Sequence, residues 1–333
     1  MTENAKFYKN ENNKIICTLC PRECKISENN AVFCKVRKII NGRLHSETYE
    51  NPASIAIDPI EKKPLYHFLP NTRITSLGTY GCNLACNACQ NWQLATNHNP
   101  PSPQKIPAQK IVDYAVQSKT PSIAYTYNEP TVFAEYLIDI AKIAKQNNIR
   151  NVIVSNGFTH PTALPEIYKN IDAANIDLKA LSDDFYKSYA NARLEPVLHT
   201  LRFIKNETPA HLEITTLIIP GLNDQNHQIA RLADWIATNL GPEIPLHLSA
   251  YFPNHKSTTP PTEPETLHRA KNIAQNAGLQ YVYLGNIPEN ADTICPNCKT
   301  TLITRSLWQT EILNINNAKC NNCNYTIYGN FQN

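Results

Sequence analysis

The stretch GTYGCNLACNACQNW, Gly78 to Trp92, places Cys82, Cys86 and Cys89 within eight residues, with no fourth cysteine nearby. Thiolate sites for zinc or iron–sulfur clusters ordinarily take four protein ligands. A four-iron cluster held by three thiolates keeps one iron corner free. That corner can be chelated by the amino and carboxylate groups of a small molecule. The Cys-x3-Cys-x2-Cys spacing lets one short loop wrap three corners of a cube. The competing reading is a zinc site completed by a distant residue.

Working outward, RITSLG just before the trio is a short apolar strand candidate. IPAQKIVDYAVQS spaces Ile106, Ile111, Ala115 and Val116 as on one helix face. PSIAYTYNEP reads as a strand stopped by Pro130, TVFAEYLIDIAKIAKQ as an amphipathic helix, RNVIVSNG as a strand closed by a turn. IDAANIDLKA is a strand followed by a helix that Ser182 is placed to cap. AHLEITTLIIPG, IPLHLSAYF and LQYVYLG read as further strands, separated by the helical patterns DQNHQIARLADWIATNL and PETLHRAKNIAQNAG. Strands alternating with helices predict an α/β fold of parallel strands joined by right-handed crossovers. Six or seven such units favour a barrel or partial barrel. The open doubly wound alternative lacks its G-x-G-x-x-G fingerprint, and the chain has only nine glycines. The Pro-rich stretches NHNPPSPQKIP and FPNHKSTTPPTEP each follow a strand or its loop, where barrel loops cover a site.

The 333 residues suit one large domain with appended modules. Hydrophobic residues make up 42%, enough for a sizeable core. With 31 Lys and Arg against 28 Asp and Glu, the charge balance gives no case for nucleic acid or an anionic membrane. The polar start MTENAKFYKNENNK shows no secretory h-region, and apolar runs such as LIIPGL are far too short to span a membrane. The expectation is a soluble cytoplasmic protein. That compartment keeps thiols reduced, so the eleven cysteines point to metal sites. They form three groups: Cys17, Cys20, Cys24 and Cys34; the trio; and Cys295, Cys298, Cys320 and Cys323.

The last group is two C-x2-C knuckles 21 residues apart, which reads as a zinc ribbon, with a second redox cluster as the alternative. The first group, C-x2-C-x3-C-x9-C, is zinc or another cluster. The expected division is a Cys-rich module over 1–66, the barrel over 67–287 and a zinc-ribbon-like module over 288–333. Asp58, Glu61, Lys62, Lys63 and His67 form a charged segment with no assigned role.

CNLACNAC resembles the CxxxCxxC motif of radical S-adenosylmethionine enzymes. CTLCPREC, DPIEKKPLYHF, CQNW, AYTYNEPT, NIDLKA, RLEPVL, TTLIIPGLND and PLHLSAYFP extend the likeness over nearly the whole chain. Together they resemble the radical-SAM member of the Amme–Memo–RadiSam gene system, a group similar to pyruvate formate-lyase activating enzymes. The resemblance implies a partial (β/α)6 TIM-like barrel and a [4Fe–4S] cluster on Cys82, Cys86 and Cys89. S-adenosylmethionine would chelate the fourth iron. One electron would then cleave it to methionine and a 5′-deoxyadenosyl radical, which takes hydrogen from a substrate. The substrate is left open between a partner protein, including Memo-like or Amme-like neighbours, and a small molecule. The electron donor would be a flavodoxin or ferredoxin.

Glu129 matches the family's acidic amine-binding position. Asn128 either contacts cofactor or caps the helix after Pro130. Asn156 either contacts cofactor or makes the turn with Gly157. Asn175, Asp177 and Lys179 share one strand face by period two, as cofactor ligands or as an internal Asp177–Lys179 ion pair. His247, which shares a face with Ser249, matches the family's cofactor contact on that strand or is structural. Arg193 reads as an ordinary ion pair in preference to a carboxylate binder. Ala88 stands where the family usually carries an aromatic near adenine, so the adenine platform is sought in Tyr80 or Trp92. Asn191 and Ala192 replace glycines frequent in relatives. The rival function is a zinc-binding interaction protein without catalysis.

Overall fold

The computed structural model describes residues 3–12, 14–27, 32–96, 105–306 and 309–331. Its centre is an eight-stranded sheet whose spatial order follows the chain. The strands are β1 Ser54–Pro59, β2 Arg73–Gly78, β3 Ser122–Tyr125, β4 Arg150–Ser155, β5 Ala173–Asp177, β6 His211–Ile218, β7 Leu246–Ala250 and β8 Val282–Gly285. From β2 to β8 every neighbouring pair is parallel. β1 runs antiparallel to β2, with Ile55 opposite Leu77. The sheet thus exceeds the expected six-unit core by one parallel strand and one antiparallel edge. β1 lies within residues 1–66, so that segment is not wholly separate from the sheet.

Helices α1 Ala108–Gln117, α2 Ala134–Gln146, α3 Leu164–Tyr168, α4 Asp183–Ala190, α5 Glu195–Glu207, α6 Asn226–Asn239 and α7 Pro264–Asn276 connect the strands. β3 is buried along its whole length, as a strand covered on both faces must be. On α1 the buried stripe is Ala108, Ile111, Val112 and Ala115, the i, i+3, i+4, i+7 set. Val116, expected on that face, is 47% exposed; Val112 takes the inner place. Ser182 caps α4 as expected, its side chain accepting from the Phe185 amide at 3.2 Å.

Two smaller parts flank the sheet. At the N-terminal side, strand Lys14–Cys17 pairs with Tyr8–Glu11 and Lys25–Ile26, and Arg37–Ile40 pairs with Arg43–Ser46. A buried Arg37–Glu135 ion pair fastens this part to α2. At the C-terminal side, Thr293–Ile294, Thr301–Ser306 and Gln309–Ile312 form a three-stranded sheet. Its core, Leu302, Ile303, Ile315 and Ile327, packs with Tyr281 and Tyr283 of the main sheet's edge. No helix among the described residues is long and apolar enough to cross a membrane.

Candidate active site

A cavity of about 570 Å³ opens at the C-terminal ends of the parallel strands, and each of them, or the loop directly after it, contributes to its lining. The loop after β2 supplies Cys82, Cys86 and Cys89. This loop is fixed at several points. The amides of Ala85 and Asn87 donate to the carbonyls of Ala190 and Tyr189 at the end of α4. The Thr79 amide donates to Asn128 Oδ1 at 2.9 Å, and Asn128 Nδ2 donates to the Gly81 carbonyl at 2.9 Å. Asn128 is therefore a brace for the cysteine loop. The expected helix cap falls instead to Glu129, which accepts from the Thr131 amide.

Glu129 lines the cavity at 3% exposure. It also accepts from Ser155 Oγ and from the Asn156 amide, each at 2.8 Å. Burial raises its pKa, and these neutral donors only partly offset that. Asn156 makes the expected turn and also lines the cavity. Its Oδ1 accepts from the Phe158 amide around Gly157, and its Nδ2 faces Asn83 Oδ1 at 2.9 Å and Cys82 Sγ at 3.8 Å.

Asp177 and Lys179 both line the cavity and pair with each other at 2.8 Å. Burial works against the Lys179 ammonium, but Asp177 and then Cys86 overcome it and hold the pKa well above the ordinary range. Burial pushes the Cys86 thiol up to about 11, with Lys179 opposing. Cys82 is raised well above its usual value by burial and then by the Glu129 charge. Asn175 sits deeper on the same strand, bonded to the Pro64 carbonyl and to Thr215.

Three expected site residues lie elsewhere. His247 is absent from the cavity lining; its Nε2 meets Glu213 Oε2 at 2.6 Å. Ser249, two residues on, does line the cavity, so period two identified the face but not the depth, a step of about 6–7 Å along a strand. Tyr80 is buried, its hydroxyl donating to the Glu47 carbonyl at 3.0 Å. Trp92 stacks on His255 at 5.3 Å outside the lining. Arg193 donates to the Pro21 carbonyl at 2.9 Å instead of pairing with an acid. The second Pro-rich stretch does reach the site: the Lys256 amide bonds the Asn87 carbonyl. The first falls mostly on 97–104, outside the described residues.

The charged segment given no role in the sequence supplies part of the lining. Asp58 Oδ2 accepts from Lys63 Nζ at 2.8 Å, Ser76 Oγ at 2.9 Å and the Tyr127 hydroxyl at 2.8 Å. Burial opposes the Asp58 charge, but the Lys63 and Tyr127 bonds win and hold it down to about 2. Tyr127 takes a φ of +69°, a strained value for a bulky residue. Tyr127, Phe185 and Tyr189 are the aromatic rings of the lining, and the last two stack at 4.8 Å.

The terminal cysteines differ in spacing. Cys295 and Cys323 bring their Sγ atoms to 3.6 Å, as do Cys298 and Cys320. Among the described residues, these four make the one group whose ligand atoms all lie within 4.8 Å of one another.

Residues 76–235 match the family model of the Radical SAM superfamily. The chain is 41% identical over 326 residues to an uncharacterized protein of Methanocaldococcus jannaschii, covering 96% of this chain and 97% of that one. It is 26% identical over 165 residues to the pyruvate formate-lyase-activating enzyme of Clostridium pasteurianum, covering 47% of this chain and 66% of that one. A radical SAM methyltransferase structure from Sphaerobacter thermophilus superposes with a TM-score of 0.50 at 16% identity, covering 65% of this chain and 67% of that one; this shows shared fold alone. The chain belongs to the radical SAM superfamily and is an enzyme of that class with homology to pyruvate formate-lyase activating enzymes.

Proposed function

We propose that Cys82, Cys86 and Cys89 hold a [4Fe–4S] cluster and that the cavity beside them takes S-adenosylmethionine. One observation carries this reading: three thiols, a buried carboxylate bonded only to neutral donors, and an ammonium–carboxylate pair line a single cavity. The donor set fits the cluster. The trio thiols are free, and Cys82 Sγ already accepts from the Leu84 amide at 3.3 Å and faces Asn156 Nδ2. Such N–H contacts stabilise a thiolate and tune a cluster's potential. When bound, the cluster and S-adenosylmethionine supply reductive cleavage to methionine and a 5′-deoxyadenosyl radical that takes hydrogen from a substrate.

In this reading Glu129 accepts from the methionine ammonium, since a buried anion gains most from a cationic donor. Lys179 binds the carboxylate and Asp177 a ribose hydroxyl. The Phe185–Tyr189 stack and Tyr127 offer apolar surface to adenine, in the role sought for Tyr80 and Trp92. Asn128 and Asn156 hold the cysteine loop and the Glu129 carboxylate in place. Asp58 and Lys63, which also line the cavity, are left for substrate.

Homology to activating enzymes supports a protein substrate and a reductant such as flavodoxin or ferredoxin; the motif resemblance to the Amme–Memo–RadiSam system suggests a Memo-like or Amme-like neighbour as that substrate. The C-terminal four cysteines suit zinc, because bonds of about 2.3 Å in a tetrahedron put sulfurs about 3.8 Å apart. We divide the chain into a Cys-rich module over 1–66, a barrel over 67–287 that recruits β1, and a zinc ribbon over 288–333. The eleven free cysteines support a cytoplasmic protein, and the balanced charge one that binds no nucleic acid. A zinc-binding interaction protein without catalysis leaves the trio and its cavity without a role.

Anaerobically reconstituted, reduced protein should convert S-adenosylmethionine to 5′-deoxyadenosine. Cys86→Ala should abolish this while the C-terminal metal stays bound. Undiminished nucleoside from that variant refutes the ligand assignment. Adding candidate neighbouring proteins and looking for a new radical signal or mass change identifies the substrate.

A further inference from the structure

The N-terminal cysteines left zinc and a cluster open in the sequence; their spacing bears on that choice, and a buried guanidinium and the adjacency of the two cysteine groups bear on what the site does. The first is spacing. Cys17, Cys20, Cys24 and Cys34 are all free thiols, and Cys17 is tied to Cys24 by a backbone bond of 3.0 Å. Cys20 lies within electrostatic reach of the other three. Yet among the described residues no three of them bring their sulfurs within 4.8 Å, whereas the C-terminal four do. A single ion draws four thiolates tightly together. A multi-iron cluster holds them farther apart, since its thiolates are shared among several irons. In this respect the N-terminal four resemble the trio.

The second is a buried guanidinium with unmade hydrogen bonds. Arg37 is 3% exposed and lies within electrostatic reach of Cys17 and Cys34. Its Nη2 bonds both oxygens of Glu135, at 2.5 and 2.7 Å. Its Nε and Nη1 are buried with no partner. Buried guanidinium donors are costly to leave unmade and call for an anionic acceptor. A cluster bearing four thiolates is such an acceptor in either redox state.

The third is adjacency. Arg22 Nε donates to the Asn83 carbonyl at 2.7 Å, next to Cys82, and its guanidinium is within electrostatic reach of Cys20, Cys24, Cys34 and Cys82. A Cβ on Gly81 would lie 2.6 Å from the Cys34 carbonyl oxygen. The two cysteine groups are therefore in backbone contact through Gly81 and Cys34.

We propose that Cys17, Cys20, Cys24 and Cys34 hold an iron–sulfur cluster, and that it passes single electrons from a low-potential protein donor to the cluster on Cys82, Cys86 and Cys89. The donor is oxidised by one electron and the N-terminal cluster reduced, then reoxidised as the trio's cluster is reduced; no bond or proton changes at the N-terminal site. The relay rests on the trio holding a cluster; the identity of the N-terminal metal does not.

The test separates the two. In a protein carrying Cys82→Ala, Cys86→Ala and Cys89→Ala, with its N-terminal cysteines intact, iron and zinc are counted after anaerobic reconstitution. We expect about two or four iron atoms per chain, with an iron–sulfur electron paramagnetic resonance signal on reduction. A chain without iron, with or without a second zinc, overturns the assignment. In the otherwise natural chain, Cys20→Ser with Cys24→Ser should lose reduction of the trio's cluster by reduced flavodoxin while keeping reduction by dithionite. Undiminished reduction by flavodoxin overturns the relay.

Discussion

Replacing Glu213 with alanine should loosen the base of the sheet, opposite the active site. Glu213 is fully buried on β6. Its Oε1 accepts from the amides of Tyr66 at 2.9 Å and His67 at 2.8 Å and meets His211 Nε2 at 3.0 Å. Its Oε2 meets His247 Nε2 at 2.6 Å. The network continues outward. His67 Nδ1 donates to the Tyr328 carbonyl, and its Nε2 accepts from the Tyr283 hydroxyl. Arg305 donates to Thr293 and to the Tyr66 carbonyl. One carboxylate thus ties the loop before β2 to three strands and the C-terminal part. Alanine orphans two buried amides, at about 1–3 kcal/mol each, and strands two imidazoles beside a cavity. The sum is roughly 4–8 kcal/mol, much of a domain's total stability of about 5–15 kcal/mol. Glutamine keeps the shape and one acceptor and should cost only about 1–3 kcal/mol.

Urea unfolding followed by far-ultraviolet circular dichroism measures both variants. Burial alone would raise the Glu213 pKa, but His211 and His247 hold it well below the carboxylate range. A depressed acid stabilises the fold above its unfolded pKa of about 4.3 and loses that contribution as pH falls toward the folded value. The natural protein should therefore lose stability below about pH 4.3, with a shallower fall in Glu213→Gln. Glu213→Ala within about 1 kcal/mol of the natural protein refutes the reasoning.

Lys179→Met removes the cation 2.8 Å from Asp177 and should weaken S-adenosylmethionine binding roughly 10- to 100-fold, from about 1.5–3 kcal/mol for a charge-assisted bond, without changing iron content. Equilibrium dialysis reads it, and unchanged affinity removes Lys179 from the site. Stripping metal from the C-terminal cysteines with a chelator should expose residues 293–320 to protease while the trio's iron remains; a protected segment argues against a structural metal there. Gly81→Ala places a Cβ 2.6 Å from the Cys34 oxygen and from Val36 at a φ of +81°. The conformation alone costs about 1–2 kcal/mol, so melting temperature and iron content should both drop, and an unchanged melting temperature contradicts the close approach.

Elements whose periodicity is local were readable from sequence. β2 to β8 and the long helices follow from runs of period two and 3.6. β1 was not, because its six residues are all half-buried and it leads into a charged turn, leaving no alternation to detect. The place of the cysteine loop at the strand ends was legible because the strand run RITSLG stops directly before it. Depth along a strand was not. His247 and Ser249 share a face, but only the fold shows that the former meets Glu213, 34 residues earlier, and the latter the cavity. The exchange between Asn128 and Glu129 has the same origin. Which neighbour caps and which braces depends on Thr79 and Gly81, nearly 50 positions away. Tyr127 was read into a strand that ends at Tyr125, and its left-handed backbone carries no signal in residue type.

Two buried glutamates show how the ends of the sheet divide their work. Both are almost without exposure, at 0% for Glu213 and 3% for Glu129, so burial raises the pKa of each. Glu213 is met by two imidazoles as well as amides, and the balance falls well below the ordinary value. Glu129 is met by two amides and a hydroxyl, and the balance stays above it. The difference lies in the partners the fold supplies. At the base, charge is compensated within the chain, which is what a structural network requires. At the top, a carboxylate keeps only neutral donors, and near the cysteine loops a guanidinium keeps two bare nitrogens. A fold that compensates one buried acid so fully had the means to compensate the other. With neutral donors alone, Glu129 holds its proton more tightly than an ordinary carboxylate; a ligand cation would favour the charged form, and the ammonium of S-adenosylmethionine has the required charge. On this reasoning the Glu129 pKa should fall when that ligand binds, a change read as proton release on binding across the acid range, and binding without proton release at any pH in that range would break the argument.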